Sequence, residues 1–339
     1  MPLLDSIFAA IFADDIAIVP LQSGARGVTA LNKALVAINY WSREWHVNFS
    51  LLKSMYMLFS SRRSLPPISI LLGSTALPRS LSFPYLGATL QPNLRWHTHC
   101  NRVISGAFKA AHEVARIIIA QGPSPRIIRQ LALANVLPII TYGWPLWTPP
   151  TERHWAKLEC AFCLPLRRCL SLPPNVHRLA VLVEFGLPNL RLLHQELAIS
   201  YAHRLVNQPD GHLARVLLLE QYARPIQTSL NHLTSFGSYL KQAEARFNFD
   251  HSEQIPAFKR SLRSRSLSMQ IDQLRKCEYS RILRNVSIHP SPCSYIKLDQ
   301  RPSAILRARL RLNRNHLNYT KFRCKDVTVS SLPIMSPLG

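Results

Sequence analysis

Negative charge is scarce in this chain. Its 339 residues carry 18 Asp and Glu against 41 Lys and Arg, a formal net charge of +23. Such an imbalance favours a polyanionic partner, nucleic acid first among them. Cysteine is sparse and irregular: seven residues without a repeating spacing argue against a disulfide framework. Reduced thiols predict an intracellular protein of the nucleus or cytoplasm. No basic leader precedes the first apolar run, and Asp5 interrupts it, so no signal peptide is expected. The one long uncharged stretch, residues 130–151, contains Pro138, Pro145, Pro149 and Pro150, which would break a membrane helix. It reads as a buried helix end followed by a proline-rich turn, and no membrane partner is expected. Glycine is also scarce, 11 residues against 25 prolines, which implies many helix starts and stops.

The positive charge is graded along the chain. Residues 1–90 hold 7 basic and 4 acidic side chains, residues 91–250 hold 17 and 9, and residues 251–339 hold 17 and 5. Arginine outnumbers lysine 31 to 10, a bias that suits bidentate phosphate contacts. At 47% hydrophobic the chain can bury a core in two or three domains.

Two short apolar runs, Ile7–Ile11 and Ile16–Val19, flank Phe12-Ala13-Asp14-Asp15 and read as buried strands of a hairpin. Two adjacent carboxylates at such a turn are costly unless neutralised, and hard oxygen ligands suit Mg²⁺. An apolar-periodic stretch over 28–54 follows, then short strands punctuated by Pro66-Pro67, Leu72-Gly73 and Pro78. Residues 98–120 predict an amphipathic helix with Ile104, Ala107, Phe108, Ala111, Val114, Ala115 and Ile118 in one stripe. Arg102, Lys109 and Arg116 recur every seven residues on another face, which suits a track for a phosphate backbone or an ordinary solvated surface. Ser124-Pro125 opens a second helix that is expected to stop near Pro138. Helical pattern continues over 151–250, with breaks at Pro173-Pro174, Pro188 and Pro209-Asp210-Gly211. Residues 257–284 fit either a loosely packed basic helix or a partly disordered arm, and residues 304–314 form an arginine-rich helical stretch. Cys160 and Cys163 read as core positions, since no second pair stands at zinc-like spacing. His97 and His99, two apart, suit one face of a strand with a solvated or base-contacting role.

Four segments, in this order, resemble the reverse transcriptases of non-LTR (LINE-type) retrotransposons. Phe12-Ala13-Asp14-Asp15 is similar to their aromatic-Ala-Asp-Asp box, and Ser50-Leu51-Leu52-Lys53-Ser54 to their Asn-x-x-Lys-Ser segment, with Ser50 where Asn is usual. Phe83-Pro84-Tyr85-Leu86-Gly87, continued by Leu94-Arg95-Trp96-His97-Thr98-His99, resembles the Tyr-Leu-Gly primer grip. Leu137–Gly143 with Trp147 resembles the segment after the thumb, and Arg307, Arg309 and Arg311 resemble the arginine-rich helix that follows.

The resemblance implies an α+β chain: a partial polymerase palm (β-hairpin, helix, short strands) over 1–90, then a helical thumb over 91–150. A helical post-thumb region over 151–250 and a basic, partly disordered extension over 251–339 follow. It implies that Asp14 binds catalytic Mg²⁺ with Asp15 beside it, that Lys53 acts near the departing pyrophosphate, and that Tyr85, Leu86 and Gly87 position the primer end. Arg102, Lys109, Arg116, Arg307, Arg309 and Arg311 would contact the partner, an RNA template with an RNA–DNA or DNA duplex. The family's fingers and first catalytic aspartate have no counterpart in the eleven residues before Phe12. The family's Cys-Pro-x-Cys motif is replaced by Leu332-Pro333-Ile334-Met335. The expectation is therefore an RNA-directed DNA polymerase fragment that is inactive alone and whose partner is the N-terminal polymerase half. The alternative is a non-catalytic basic nucleic-acid-binding protein or the relic of a decayed element.

Overall fold

A computed structural model describes residues 6–60, 67–223 and 292–312, with isolated positions at 260, 264 and 268. The 257–284 stretch, Arg314, Asp5 and the 332–335 motif otherwise lie outside the described residues. The described part is mixed α and β, mostly helical, with small antiparallel strand pairs. The chain forms two compact units, residues 1–95 and residues 96 onward.

The first unit opens with a hairpin of β1 (Ile7–Phe12) and β2 (Asp15–Pro20), in register from Ile7 opposite Pro20 to Phe12 opposite Asp15. That register leaves a two-residue turn, Ala13-Asp14. Ala13 takes φ 52°, the left-handed region that hairpin turns demand and that costs an L-residue about 1–2 kcal/mol. Replacing Ala13 by Gly removes that strain at some entropic cost. Urea unfolding should show a net gain of about 0.5 kcal/mol in the first unit.

Only one face of the hairpin is covered. Ile7 and Ile18 pack against Ala30 and Ala34 of helix α1 (Gly24–Glu44). Phe8 and Val19, opposite each other, and Phe12 on the same face are exposed. The expectation of two buried strands is therefore corrected: among the described residues no third strand pairs with the hairpin and nothing covers its outer face.

The apolar stripe of α1 continues through Leu35, which meets Ile70 and Leu72. Asn32 stitches this contact: its amide donates to the Ser69 carbonyl at 3.1 Å and its Oδ1 accepts from Leu71 N at 3.1 Å. Two further hairpins follow, β3 (Leu71–Leu72) with β4 (Thr75–Ala76), and β5 (Phe83–Tyr85) with β6 (Ala88–Leu90).

The second unit is a helical bundle. Helix α2 (His97–Gln121) lies along α5 (Glu152–Cys169), and the expected stripe of α2 is buried except for half-buried Phe108. Gly122 ends α2 in the left-handed conformation that favours glycine. Helix α3 (Pro125–Leu131) begins at Ser124 as expected but does not stop at Pro138. A π turn over Ala132–Val136 carries the chain into α4 (Leu137–Thr141), with Pro138 in its first turn. Proline lacks the N–H that would reach back four residues, and the wider turn absorbs that gap.

The remaining helices are α6 (Arg178–Glu184), α7 (Leu190–Val206) and α8 (Leu213–Ala223), broken where the prolines fall. Asn189 caps α7 by accepting from Leu192 N at 2.7 Å. Two short helices, α9 (Ser294–Leu298) and α10 (Arg301–Arg311), return to the bundle, where Tyr295, Ile296, Ala304, Ala308 and Leu312 join its main core. Among the described residues no helix is long and apolar enough to cross a membrane.

Candidate functional site

The acidic pair stands at the tip of the first hairpin. Asp14 occupies the second turn position, Asp15 opens β2 opposite Phe12, and both are exposed. The strands beneath hold the tip on a backbone ladder, and α1 anchors one face of that ladder. Mg²⁺ keeps several waters and is commonly held by one or two carboxylates plus substrate phosphates. Asp14 and Asp15 fit that partial role. A two-metal centre also needs carboxylates from a second place. Among the described residues no group of three or more His, Cys, Asp or Glu could hold a metal ion. Two exposed carboxylates alone fall short of a complete metal centre.

Lys53 lies in a tight turn after α1, where Lys53 N and Ser54 N both donate to the Ser50 carbonyl, at 3.1 and 3.0 Å. It is exposed, and among the described residues no ion pair joins it to Asp14 or Asp15. Tyr85, Leu86 and Gly87 form the tight turn of the third hairpin, with Tyr85 opposite Ala88. Leu86 at φ 44° and Gly87 at φ 80° give the doubly left-handed turn that matches strand twist. Glycine at the second position thus has a backbone reason.

In the second unit Arg102, Lys109 and Arg116 are all exposed on one face of α2. Ser105 and His112 fill the same face between them, and Arg116 pairs with Glu113. From Arg102 to Arg116 the face runs about 21 Å at the helical rise. His97 and His99 do not share a strand face; both lie in the first turn of α2. His99 is buried with its ring 4.7 Å from that of Trp147, so the base-contacting reading is corrected for it. Burial and the Arg102 charge lower its pKa to about 4. His97 instead meets His154, ring centroids 5.3 Å apart. Cys163 is fully buried, and burial pushes its thiol up to about 12, away from the thiolate a metal would need.

The three arginines of α10 point to different tasks. Arg307 is exposed and pairs with Asp299 at 3.2 Å. Arg309 donates to the Ser171 carbonyl at 2.8 Å. Arg311 donates from Nε to both oxygens of Glu184, at 3.0 and 3.1 Å. Glu184 is fully buried and also accepts from the Tyr295 hydroxyl. Arg301 donates to the carbonyls of Cys169 at 3.0 Å and Ile118 at 3.3 Å, near the C-terminal ends of α5 and α2. Much of the basic character that sequence reasoning gave to phosphate here engages carbonyls and a carboxylate inside the fold. Glu184 was missed; its signal was a lone carboxylate in the apolar run Ala180–Phe185.

Compared with known proteins, the chain matches no family model, no curated protein and no solved structure.

Proposed function

We propose that this chain is the palm-to-thumb part of a non-LTR-type RNA-directed DNA polymerase, and that by itself it binds nucleic acid without copying it. The observation that carries the reading is the place of Asp14: exposed at the tip of a tight hairpin whose strands are anchored to a helix. A carboxylate so held can meet a cation brought by a nucleotide's phosphates while its backbone stays fixed. Asp14 would hold Mg²⁺ with Asp15 beside it, and the ion would supply neutralisation of phosphate charge. Lys53 would act near the leaving group, and the Tyr85-Leu86-Gly87 turn would position the primer end. Since no group of three or more His, Cys, Asp or Glu among the described residues could hold a metal ion, polymerisation on this reading takes further ligands from a partner, the N-terminal polymerase half.

Binding without catalysis is supported by the basic face of α2. The partner is an RNA template paired as an RNA–DNA or DNA duplex, gripped through its backbone by Arg102, Lys109 and Arg116, with exposed Arg307 adding charge. Titration of a primer-annealed RNA template across a salt series tests this. Arg102→Ala/Lys109→Ala/Arg116→Ala should weaken binding and reduce the log-affinity against log-salt slope by roughly 3, while Asp14→Ala leaves binding unchanged. An unchanged slope in the triple variant would remove the basis for the interface. In the same tubes, primer extension with Mg²⁺ should be absent; robust synthesis lost in Asp14→Ala would show that the chain is self-sufficient.

A further inference from the structure

The return of residues 292–312 to the bundle has the character of ligand and receptor. Helices α9 and α10 are five and eleven residues long, too short to persist alone in water. Their order comes from what they touch. Each anchoring bond reaches residues 118–184, across the intervening stretch 224–291: Arg301 to Ile118 and Cys169, Arg309 to Ser171, Arg311 and Tyr295 to Glu184, and Cys293 N to the Glu184 carbonyl at 3.0 Å.

The receptor side is electrically of one kind. The carbonyls near the ends of α2 and α5 carry the negative ends of two helix dipoles, and the fully buried Glu184 carboxylate adds a formal charge. The ligand side presents three guanidinium groups and a phenol around Ile296, Ala304, Ala308 and Leu312, which enter the same core as α2 and α5. Charge, hydrogen bonding and apolar burial all match on this one surface.

We infer that the 96–223 bundle carries a binding site for an arginine-bearing amphipathic helical segment, that residues 292–312 of the same chain occupy it, and that the contacts alone hold them there without covalent connection. The inference does not depend on the polymerase reading, because every group it uses is internal to the second unit.

The test uses the full chain with a protease recognition sequence inserted between residues 250 and 251. After cleavage the C-terminal piece should co-elute with the N-terminal piece in native size-exclusion chromatography, with helical circular dichroism retained. A synthetic 292–312 peptide in excess should displace the cleaved piece at equilibrium. The same peptide carrying Arg311→Ala should compete more weakly by upwards of about 100-fold, as expected when a buried carboxylate loses its cation. The receptor in this competition is always the wild-type bundle, so a variant's own folding does not enter. Co-elution, displacement and the weaker competition together support the inference. Separation of the pieces on cleavage, loss of helical signal, absence of displacement, or equal competition by the two peptides would each overturn it. A dimeric mass before cleavage that becomes monomeric when residues 292–312 are deleted would assign the segment to a second copy and overturn the same-chain occupancy.

Discussion

Arg311→Ala should destabilise the helical unit by about 3–5 kcal/mol, the cost of stranding a buried carboxylate without its partner. Glu184 has no exposed surface, whereas the Arg311 side chain keeps 25% of its own. The two deletions are therefore unequal. With arginine gone, Glu184 stays in the core with no cation, answered by the Tyr295 hydroxyl and the Cys293 thiol. With glutamate gone, the arginine can turn toward water, so Glu184→Gln should cost only about 1–2 kcal/mol. Replacing both members together, Glu184→Leu with Arg311→Met, should be close to neutral, because an apolar pair avoids the desolvation that the ion pair must offset. Adding the singles Glu184→Leu and Arg311→Met closes a double-mutant cycle in urea unfolding. Equal losses for Arg311→Ala and Glu184→Gln, or a Glu184→Leu/Arg311→Met double as damaged as the sum of Glu184→Leu and Arg311→Met, would mean that Glu184 and Arg311 do not act as a buried pair.

That pair also marks the boundary of what the residues alone disclose. The α2 stripe was legible because period 3.6 is written into Ile104, Ala107, Ala111, Val114 and Ile118 whatever they pack on. The first hairpin was legible because two apolar runs close on a polar turn. Its half-exposed state was not, since an apolar alternation records which residues prefer burial and not whether a neighbour is present to bury them. Pro138 misled in the same way: a missing N–H forbids one hydrogen bond, and the chain met that with a π turn instead of a helix end. The acidic tip could be read as a unit because Asp14 and Asp15 are adjacent, while Arg311 and Glu184 are 127 residues apart and joined only by tertiary packing. A run of arginines says how much positive charge is present. Which guanidinium meets a carbonyl, a carboxylate or solvent is decided by helix ends whose positions no single residue encodes.

Acid should weaken the helical unit through two buried imidazoles. His99 lies against Trp147 and Trp96, and His194 sits between Trp144 and Trp155 with its Nε2 3.1 Å from the Trp147 carbonyl. Burial lowers both pKa values; Arg102 adds to the effect at His99, and backbone hydrogen bonding at His194 opposes it in part. The unfolded chain therefore takes up protons that the folded chain refuses. Stability is undiminished above the ordinary histidine pKa of 6.5, falls as pH drops below it, and for His99 levels off near its folded value of about 4. Across that window His99 alone is worth about 3 kcal/mol, at a slope of about 1.4 kcal/mol per pH unit. His99→Phe isolates the contribution. Above pH 7 its stability differs from the wild type by a constant amount set by packing. Between pH 6.5 and 4 its slope should be shallower by about 1.4 kcal/mol per unit, so the two curves converge or cross as acid is added. Parallel urea-unfolding curves over the whole range would show that His99 exchanges its proton as freely folded as unfolded, and would rule out the closed aromatic packing around it as the source of acid sensitivity.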